Sequence, residues 1–314
     1  MPNSNNQNLI TGGAGFIGSN LINHLIKKGE KVICIDNFFS GRELNISKWL
    51  NHPRFQIINH DITIPIEINA ERIWHLASPA SPSLFYKYPI ETSKTNYLGT
   101  LNMLELARKN NARILLASSS SIYGEAEVHP QIESYKGLVN SFGNRSCYEE
   151  GKRIAESLFF DYQKIHNCDI RIARIFNTYG PNMNPKDGRV ISNFIVQAIK
   201  NEPITVFGTG QQTRSFCFVD DLIQGLISLM NSNYKKPINL GNEHELKVIK
   251  LAKLISLKVK SNSKIINLNL PADDPIKRRP SITLAQKKLN WQPYIDLEEG
   301  LNKTIYYFKK ELNN

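Results

Sequence analysis

The chain has 314 residues, 41% hydrophobic and 21% charged, enough for one large α/β unit plus a smaller lobe and too well mixed for disorder. Its net charge of +11 is spread along the chain: Lys27-Lys28, Lys235-Lys236 and Lys309-Lys310 belong to no longer basic tract, so no nucleic-acid partner is expected and an anionic small molecule is. The polar, uncharged first eight residues lack the basic and apolar regions of a secretory leader, and the longest apolar runs are strand-sized. No membrane span is expected, and the expected location is cytoplasmic. Cys34, Cys147, Cys168 and Cys217 stand far apart and read as free thiols of a reducing compartment. With the histidines equally scattered, no metal is expected.

From Leu9 the chain alternates strand-like apolar runs with amphipathic segments of helix length, the pattern of a Rossmann-type doubly wound parallel sheet covered on both faces. Strands are predicted at about 8–12, 31–36, 55–59, 72–76 and 112–118, with helices at 16–28 and 90–109. A further helix runs from Tyr148 to about His166, followed by a strand over 169–175. After Asn177 the pattern breaks into a loop (179–185), a helix (191–200), a short strand (204–207) and a Gly208-Thr209-Gly210 turn. Asp220-Asp221 opens a helix to Met230, with Asp220 read as its N-cap. The domain division is 1–176 for the first unit and 177–314 for the smaller C-terminal lobe, a segment near 215–240 returning to the first.

The run Gly12-Gly13-Ala14-Gly15-Phe16-Ile17-Gly18 follows a strand and opens a helix, so backbone amides there can approach a pyrophosphate closely at a helix N-terminus. Asp36 ends the next strand, where a carboxylate accepts from ribose hydroxyls and repels a 2′-phosphate, which favours NAD; Arg42, six residues on, leaves NADP open. Asp61-Ile62, after the third strand, reads equally as an adenine contact or as a turn aspartate.

Tyr148 and Lys152 stand four apart, hence on one helical face, where an ammonium is expected to lower the phenol's pKa. The serine-rich run Ser118-Ser119-Ser120-Ser121 ends a strand at the sheet's carboxyl edge, where ligands of open α/β sheets bind. Glycine loop, acidic strand end, serine-rich strand end and Tyr-x-x-x-Lys occur in the order that hydride transfer to NAD requires.

With these motifs the chain resembles the extended short-chain dehydrogenases/reductases, and among them it is most similar to the UDP-glucuronate decarboxylases. The resemblance runs nearly end to end, through Asp36-Asn37-Phe38-Phe39-Ser40-Gly41-Arg42, Ala77-Ser78-Pro79-Ala80-Ser81-Pro82, Lys94-Thr95-Asn96, Cys147-Tyr148-Glu149-Glu150-Gly151-Lys152-Arg153, Asp187-Gly188-Arg189-Val190, Gln212-Thr213-Arg214 and Asp274 to Pro280. It implies Tyr148 as base, Lys152 as its partner and Ser119 as the hydroxyl beside them. It further implies Asn37, Phe39, Ser40, Gly41, Leu76, Ser78, Thr95, Ala117, Thr178 and Arg189 near NAD. Lys94, Asn177, Arg189, Arg214 and Arg278 are implied near a UDP-sugar, Arg278 also in the catalytic set. A homodimer formed through helices near Leu101 and Tyr148 is implied as well. One position departs from the pattern: Ser121 stands where those decarboxylases carry a glutamate. The implied reaction takes UDP-glucuronate to UDP-xylose through a 4-keto sugar. A UDP-sugar 4-epimerase built on the same tyrosine, lysine and serine is the alternative, and a catalytically silent nucleotide sensor is a third.

Overall fold

The computed structural model describes residues 7–269 and 277–312. Within the first 175 residues lie β1 (Gln7–Thr11), β2 (Lys31–Asp36), β3 (Phe55–Asn59), β4 (Arg72–His75), β5 (Arg113–Ser119) and β6 (Ile170–Ile175). There follow β7 (Thr178–Tyr179), β8 (Ile204–Phe207), β9 (Thr213–Ser215), β10 (Cys217–Phe218), β11 (Pro237–Leu240), β12 (Glu245–Lys247), β13 (Ile265–Leu268) and β14 (Lys277–Arg278). Seven of these form one parallel sheet in the order β11-β6-β5-β4-β1-β2-β3. Its strands are apolar on both faces because helices cover both: Leu9, Ile10, Ile35, Ile73, Ile114 and Leu115 are all fully buried.

The chain order reverses between β1 and β4, so the loops leaving their carboxyl ends diverge and open a crevice, the place where such sheets bind ligands. The predicted strands over 31–36, 55–59 and 204–207 match residue for residue, and the other boundaries shift by a residue or so.

Three features differ from the sequence reading. The predicted helix over 90–109 is broken into Pro89–Lys94, a π-turn at Thr95–Gly99 and Thr100–Asn110. Asn96 bends it: its Nδ2 donates into the backbone ladder at the Thr92 carbonyl (2.9 Å), while its Oδ1 accepts from Ser78 Oγ (3.0 Å). Asp220 is not an N-cap. The helix Val219–Asn231 starts two residues earlier than such a cap requires, with Phe218 at the cap, so Asp220 lies inside the first turn, where the helix dipole favours a carboxylate. Asp221 is the buried member of the pair and accepts from the Ile295 N–H at 2.9 Å.

The third difference is a small three-stranded sheet, in the order β12-β9-β14, in a region whose pattern shows no strands. Its strands are too short for alternation to be visible, and β14 pairs with β9 across more than sixty residues of chain. Core packing runs on from one face of the large sheet into the second lobe. Leu21 and Ile22 belong to the same buried cluster as Phe194, Leu226, Trp291 and Phe308.

Candidate active site

Two cavities meet at the crevice. The first, about 520 Å³, lies over the carboxyl ends of β1 and β2. Gly12 adopts φ +71°, and a side chain at Gly18 would bring Cβ to 2.3 Å from the Gly12 carbonyl oxygen and 2.7 Å from Gly13 Cα. Only a bare backbone lets the helix Phe16–Lys27 start this close to the strand, and its first residues, Phe16 to Gly18, line the cavity. Gly18→Ala is therefore expected to cost about 1–3 kcal/mol of stability, the usual range for overpacking, and to weaken dinucleotide binding. Thermal unfolding and titration with NAD⁺ check this, and a variant equal to the parent in both would refute the packing argument.

Asp36 is buried, with Oδ2 accepting from the Ala14 N–H and Oδ1 from the Phe38 N–H, both at 2.9 Å. Burial pushes its carboxyl above the ordinary range, and those two N–H groups pull it back. Arg42 is ion-paired with Glu311 of the C-terminal helix Leu297–Leu312, so the one basic side chain that left NADP open is already engaged. Asp61 takes the turn reading in this structure. It lines this cavity, and its Oδ1 accepts from the Thr63 N–H at 2.9 Å. Gly15, Phe16, Asn37, Phe39, Ser40, Gly41, Ile62 and Thr95 line the same cavity. These residues fit a dinucleotide: a side-chain-free cradle for the diphosphate and a buried carboxylate at the ribose end.

The second cavity, about 480 Å³, holds Ser119, Ser121, Tyr148, Lys152, Asn177, Thr178, Arg214 and Arg278. Ile17, Leu76, Ser78, Ala117 and Arg189 line both, forming the junction. Thr178 lies with the second cavity rather than with the dinucleotide cradle. Lys94 departs further: it is exposed at the end of Pro89–Lys94 and lines neither cavity, although its neighbour Thr95 faces the first. Helical geometry turns adjacent residues about a hundred degrees apart, so the motif carries Thr95 inward and Lys94 outward.

Tyr148 and Lys152 project from the helix Ser146–His166 against the end of β5. Lys152 Nζ donates to the Ala117 carbonyl (2.9 Å) and lies 5.9 Å from the Tyr148 ring centre. Phe85 stacks on that ring at 5.2 Å and 9°. Burial brings the Lys152 ammonium down to about 7, with Glu156 acting in the opposite direction. The expected lowering of the phenol is not what the folded chain gives. Burial pushes Tyr148 up, while the Ser119 hydroxyl and the cations Arg189, Arg145 and Arg278 pull it down. His75, between Thr11 and Thr100 at 3.0 Å on each side, is driven to about 3 by burial and stays neutral.

Ser121 sits in the 3₁₀ turn Ser120–Tyr123, its N–H donating to Ser119 Oγ at 3.1 Å. Arg278 is buried above it, reaching Ser121 Oγ (3.4 Å) and the Gly124 carbonyl (3.1 Å). Arg278 is also the direct register partner of Arg214 across β14 and β9, which sets two guanidinium side chains next to each other in one cavity. The first part of the motif that carries Arg278, Asp274 to Ile276, lies outside the described residues.

Arg145 was missed by sequence reasoning. It lines the second cavity, lies over the Phe85 ring at 5.4 Å, and is ion-paired with Glu149 at 2.8 Å. A signal existed, because a cation at a helix N-terminus opposes the dipole and needs another reason to be there. Among the described residues no cluster of His, Cys, Asp or Glu could hold a metal, and no helix is long and apolar enough to cross a membrane.

A glycine loop at the switch point of a parallel sheet, with a Tyr-x-x-x-Lys helix against the neighbouring strand end, defines a short-chain dehydrogenase/reductase. The GDP-mannose 4,6 dehydratase family model matches residues 9–304, and the chain belongs to that family of extended short-chain dehydrogenases/reductases and is an enzyme. It is 52% identical over 306 residues to UDP-glucuronic acid decarboxylase 1 of Xenopus tropicalis, covering 98% of this chain and 73% of that protein. UDP-glucuronic acid decarboxylase 3 of Arabidopsis thaliana is 51% identical over 307 residues, covering 97% and 90%. The solved UDP-glucuronic acid 4-epimerase of Bacillus cereus, in complex with UDP-glucuronic acid and NAD, superposes with a TM-score of 0.88 at 26% identity, over 97% of this chain and 99% of that one.

Proposed function

We propose that this enzyme decarboxylates UDP-glucuronate to UDP-xylose with NAD as a cofactor regenerated in each cycle. The observation that carries the reading is the register pairing of Arg214 and Arg278 in the cavity of Tyr148, Lys152 and Ser119, in a chain about half identical to UDP-glucuronic acid decarboxylases. In this reading residues 1–176, with the returning segment near 215–240, hold the dinucleotide, and the remainder mainly holds the UDP-sugar.

NAD supplies, when bound, reversible uptake of a hydride from the sugar's C4. Tyr148, as phenolate, takes the C4 hydroxyl proton, with Ser119 sharing it and Lys152 supplying positive charge beside it, and gives that proton back to the C4 oxygen when the hydride returns to C4 after decarboxylation. Oxidation at C4 leaves the C5 carboxylate β to a carbonyl, so carbon dioxide departs and the electron pair passes to the C4 oxygen as an enolate. Tyr148 and Ser119 hold that oxygen by hydrogen bonds. A proton then reaches C5 by way of the Ser121 hydroxyl and a bound water, in place of the glutamate of related decarboxylases. Arg278, Arg214 and Arg189 hold the carboxylate and diphosphate, Arg pairing bidentately with such anions, and Asn177 donates to the sugar.

Incubation with UDP-glucuronate and NAD⁺, followed by mass and proton NMR analysis, tests this. Release of carbon dioxide with a UDP-pentose of xylose configuration is expected. Unchanged mass with an inverted C4 would make the enzyme a 4-epimerase, the reaction of the Bacillus cereus protein, and no turnover would leave neither reading standing. The proposal extends to a homodimer, for which Tyr97, Ile154 and Phe160 leave apolar surface exposed on the helical segments near Leu101 and Tyr148. Light scattering should then return twice the chain mass of 35.8 kDa. A cytoplasmic setting is part of the same proposal, in keeping with four free cysteines.

A further inference from the structure

Three consecutive residues at the end of β5 are each tied to one helix. Ser119 meets Tyr148, the Ala117 carbonyl accepts from Lys152 at 2.9 Å, and Ser118 Oγ donates to Glu156 Oε1 at 2.6 Å. Tyr148, Lys152 and Glu156 follow one another at four-residue spacing and so form one stripe of the helix Ser146–His166. The first two ties belong to the site already described, whereas Glu156 does not line either cavity.

Glu156 is nonetheless built in. Arg174 of β6 grips both its oxygens, Nε to Oε1 at 3.0 Å and Nη2 to Oε2 at 2.8 Å, and the two side chains are only 11% and 13% exposed. Arg174 Nη1 donates to the Tyr123 hydroxyl at 3.0 Å, and Tyr123 closes the turn that carries Ser121. The Tyr123 hydroxyl in turn donates to Asn239 of β11 at 2.7 Å. One carboxylate thus anchors the strand end before Ser119 and, through Arg174, the turn after it.

We propose that Glu156 is a positioning residue of this site. Its carboxylate fixes Ser118, and with it the end of β5, against the helix of Tyr148 and Lys152, and it is the counter-charge to the buried Lys152 ammonium. The inference rests on the reading of Tyr148 and Lys152 as the reacting pair. Around Lys152 the other titratable groups are Tyr148 on its own helix, His75 on β4, which burial keeps neutral, and Arg174 on β6 behind Glu156. Arg145, Arg189 and Arg278 act on Tyr148 from the cavity side. Among these groups Glu156 is the only anion acting on Lys152, and it works against the burial that brings the ammonium down to about 7.

The sign follows directly. Removing an anion lowers a lysine's pKa, so a rate or affinity that needs charged Lys152 falls at lower pH in the variant. In Glu156→Gln the shape and an acceptor for Ser118 remain and the charge is gone. The alkaline limb of kcat should move down by about one pH unit, a tenfold loss at pH 8 that recovers toward pH 6, with KM for UDP-glucuronate within about twofold. Glu156→Asp, which restores charge but shortens the side chain, should recover the parental limb. An equal loss at every pH in Glu156→Gln, or Glu156→Asp proving the worse of the two, would overturn the proposal, because a merely structural carboxylate predicts that order.

Should the parent fail to convert UDP-glucuronate, the functional reading falls by itself. The inference is then read from NAD⁺ affinity against pH in parent and variants, with the same displacement expected. If Glu156→Gln does not fold, Ser118→Ala tests the anchoring: a lower kcat at all pH values with the limb unmoved supports it, and an unchanged kcat refutes it.

Discussion

Tyr148→Phe is expected to lower turnover of UDP-glucuronate by about 100- to 10,000-fold, the range for removing a positioned acid–base group. The phenyl ring would still stack on Phe85, and Lys152 would still donate to the Ala117 carbonyl, so the helix and its packing are unchanged. What disappears is the hydroxyl that shares hydrogen bonding with Ser119 in the second cavity. Melting temperature and NAD⁺ affinity should match the parent, which separates loss of chemistry from loss of fold. Turnover within tenfold of the parent would show that Tyr148 is not the base and revive the reading of a nucleotide-sensing protein.

Arg278→Met should reduce kcat/KM for UDP-glucuronate by about 30- to several-thousand-fold, corresponding to the roughly 2–5 kcal/mol lost when one partner of a buried charge pair is truncated. Arg278 is buried, and its side chain reaches both the turn of Ser121 and the carbonyl of Gly124. Beside Arg214, it brings a second guanidinium to the same cavity. Arg278→Lys should recover little, since a single ammonium lacks the planar fork that bonds a carboxylate through two N–H groups. Steady-state kinetics should place most of the loss in KM for the sugar nucleotide, with NAD⁺ affinity nearly untouched. A parental KM in both variants would remove Arg278 from the substrate site.

The dinucleotide cradle was legible early because its requirements are local. Gly12, Gly15 and Gly18 form a short run, Asp36 ends the next strand, and both positions follow from the strand-turn-helix geometry alone. Tyr148 and Lys152 were legible for the same reason, as a helical spacing fixes which side chains share a face. The paired arginines were not. Arg214 and Arg278 are sixty-four residues apart in the chain, on strands of three and two residues that carry no periodic signal, and only parallel pairing makes them neighbours. Lys94 shows the opposite failure: a motif carried it into the expected site, but the helix turns it to solvent.

Periodicity and motif spacing were enough to specify a doubly wound parallel sheet, a glycine loop with an acidic strand end, and a tyrosine–lysine pair on one helix, since strand–helix alternation, the glycine turn and the helical spacing are each written in short stretches of chain. Electrostatics was left to folding. Proximity in sequence suggested a phenol lowered by its lysine, yet burial raises Tyr148 and lowers Lys152 to about 7, because desolvation depends on everything packed around a group. The commitment of Arg42 to Glu311, the grip of Arg174 on Glu156 and the meeting of the two cavities at Ala117 and Arg189 likewise join residues far apart in the chain. Such pairings arise when layers pack, and no local pattern encodes them.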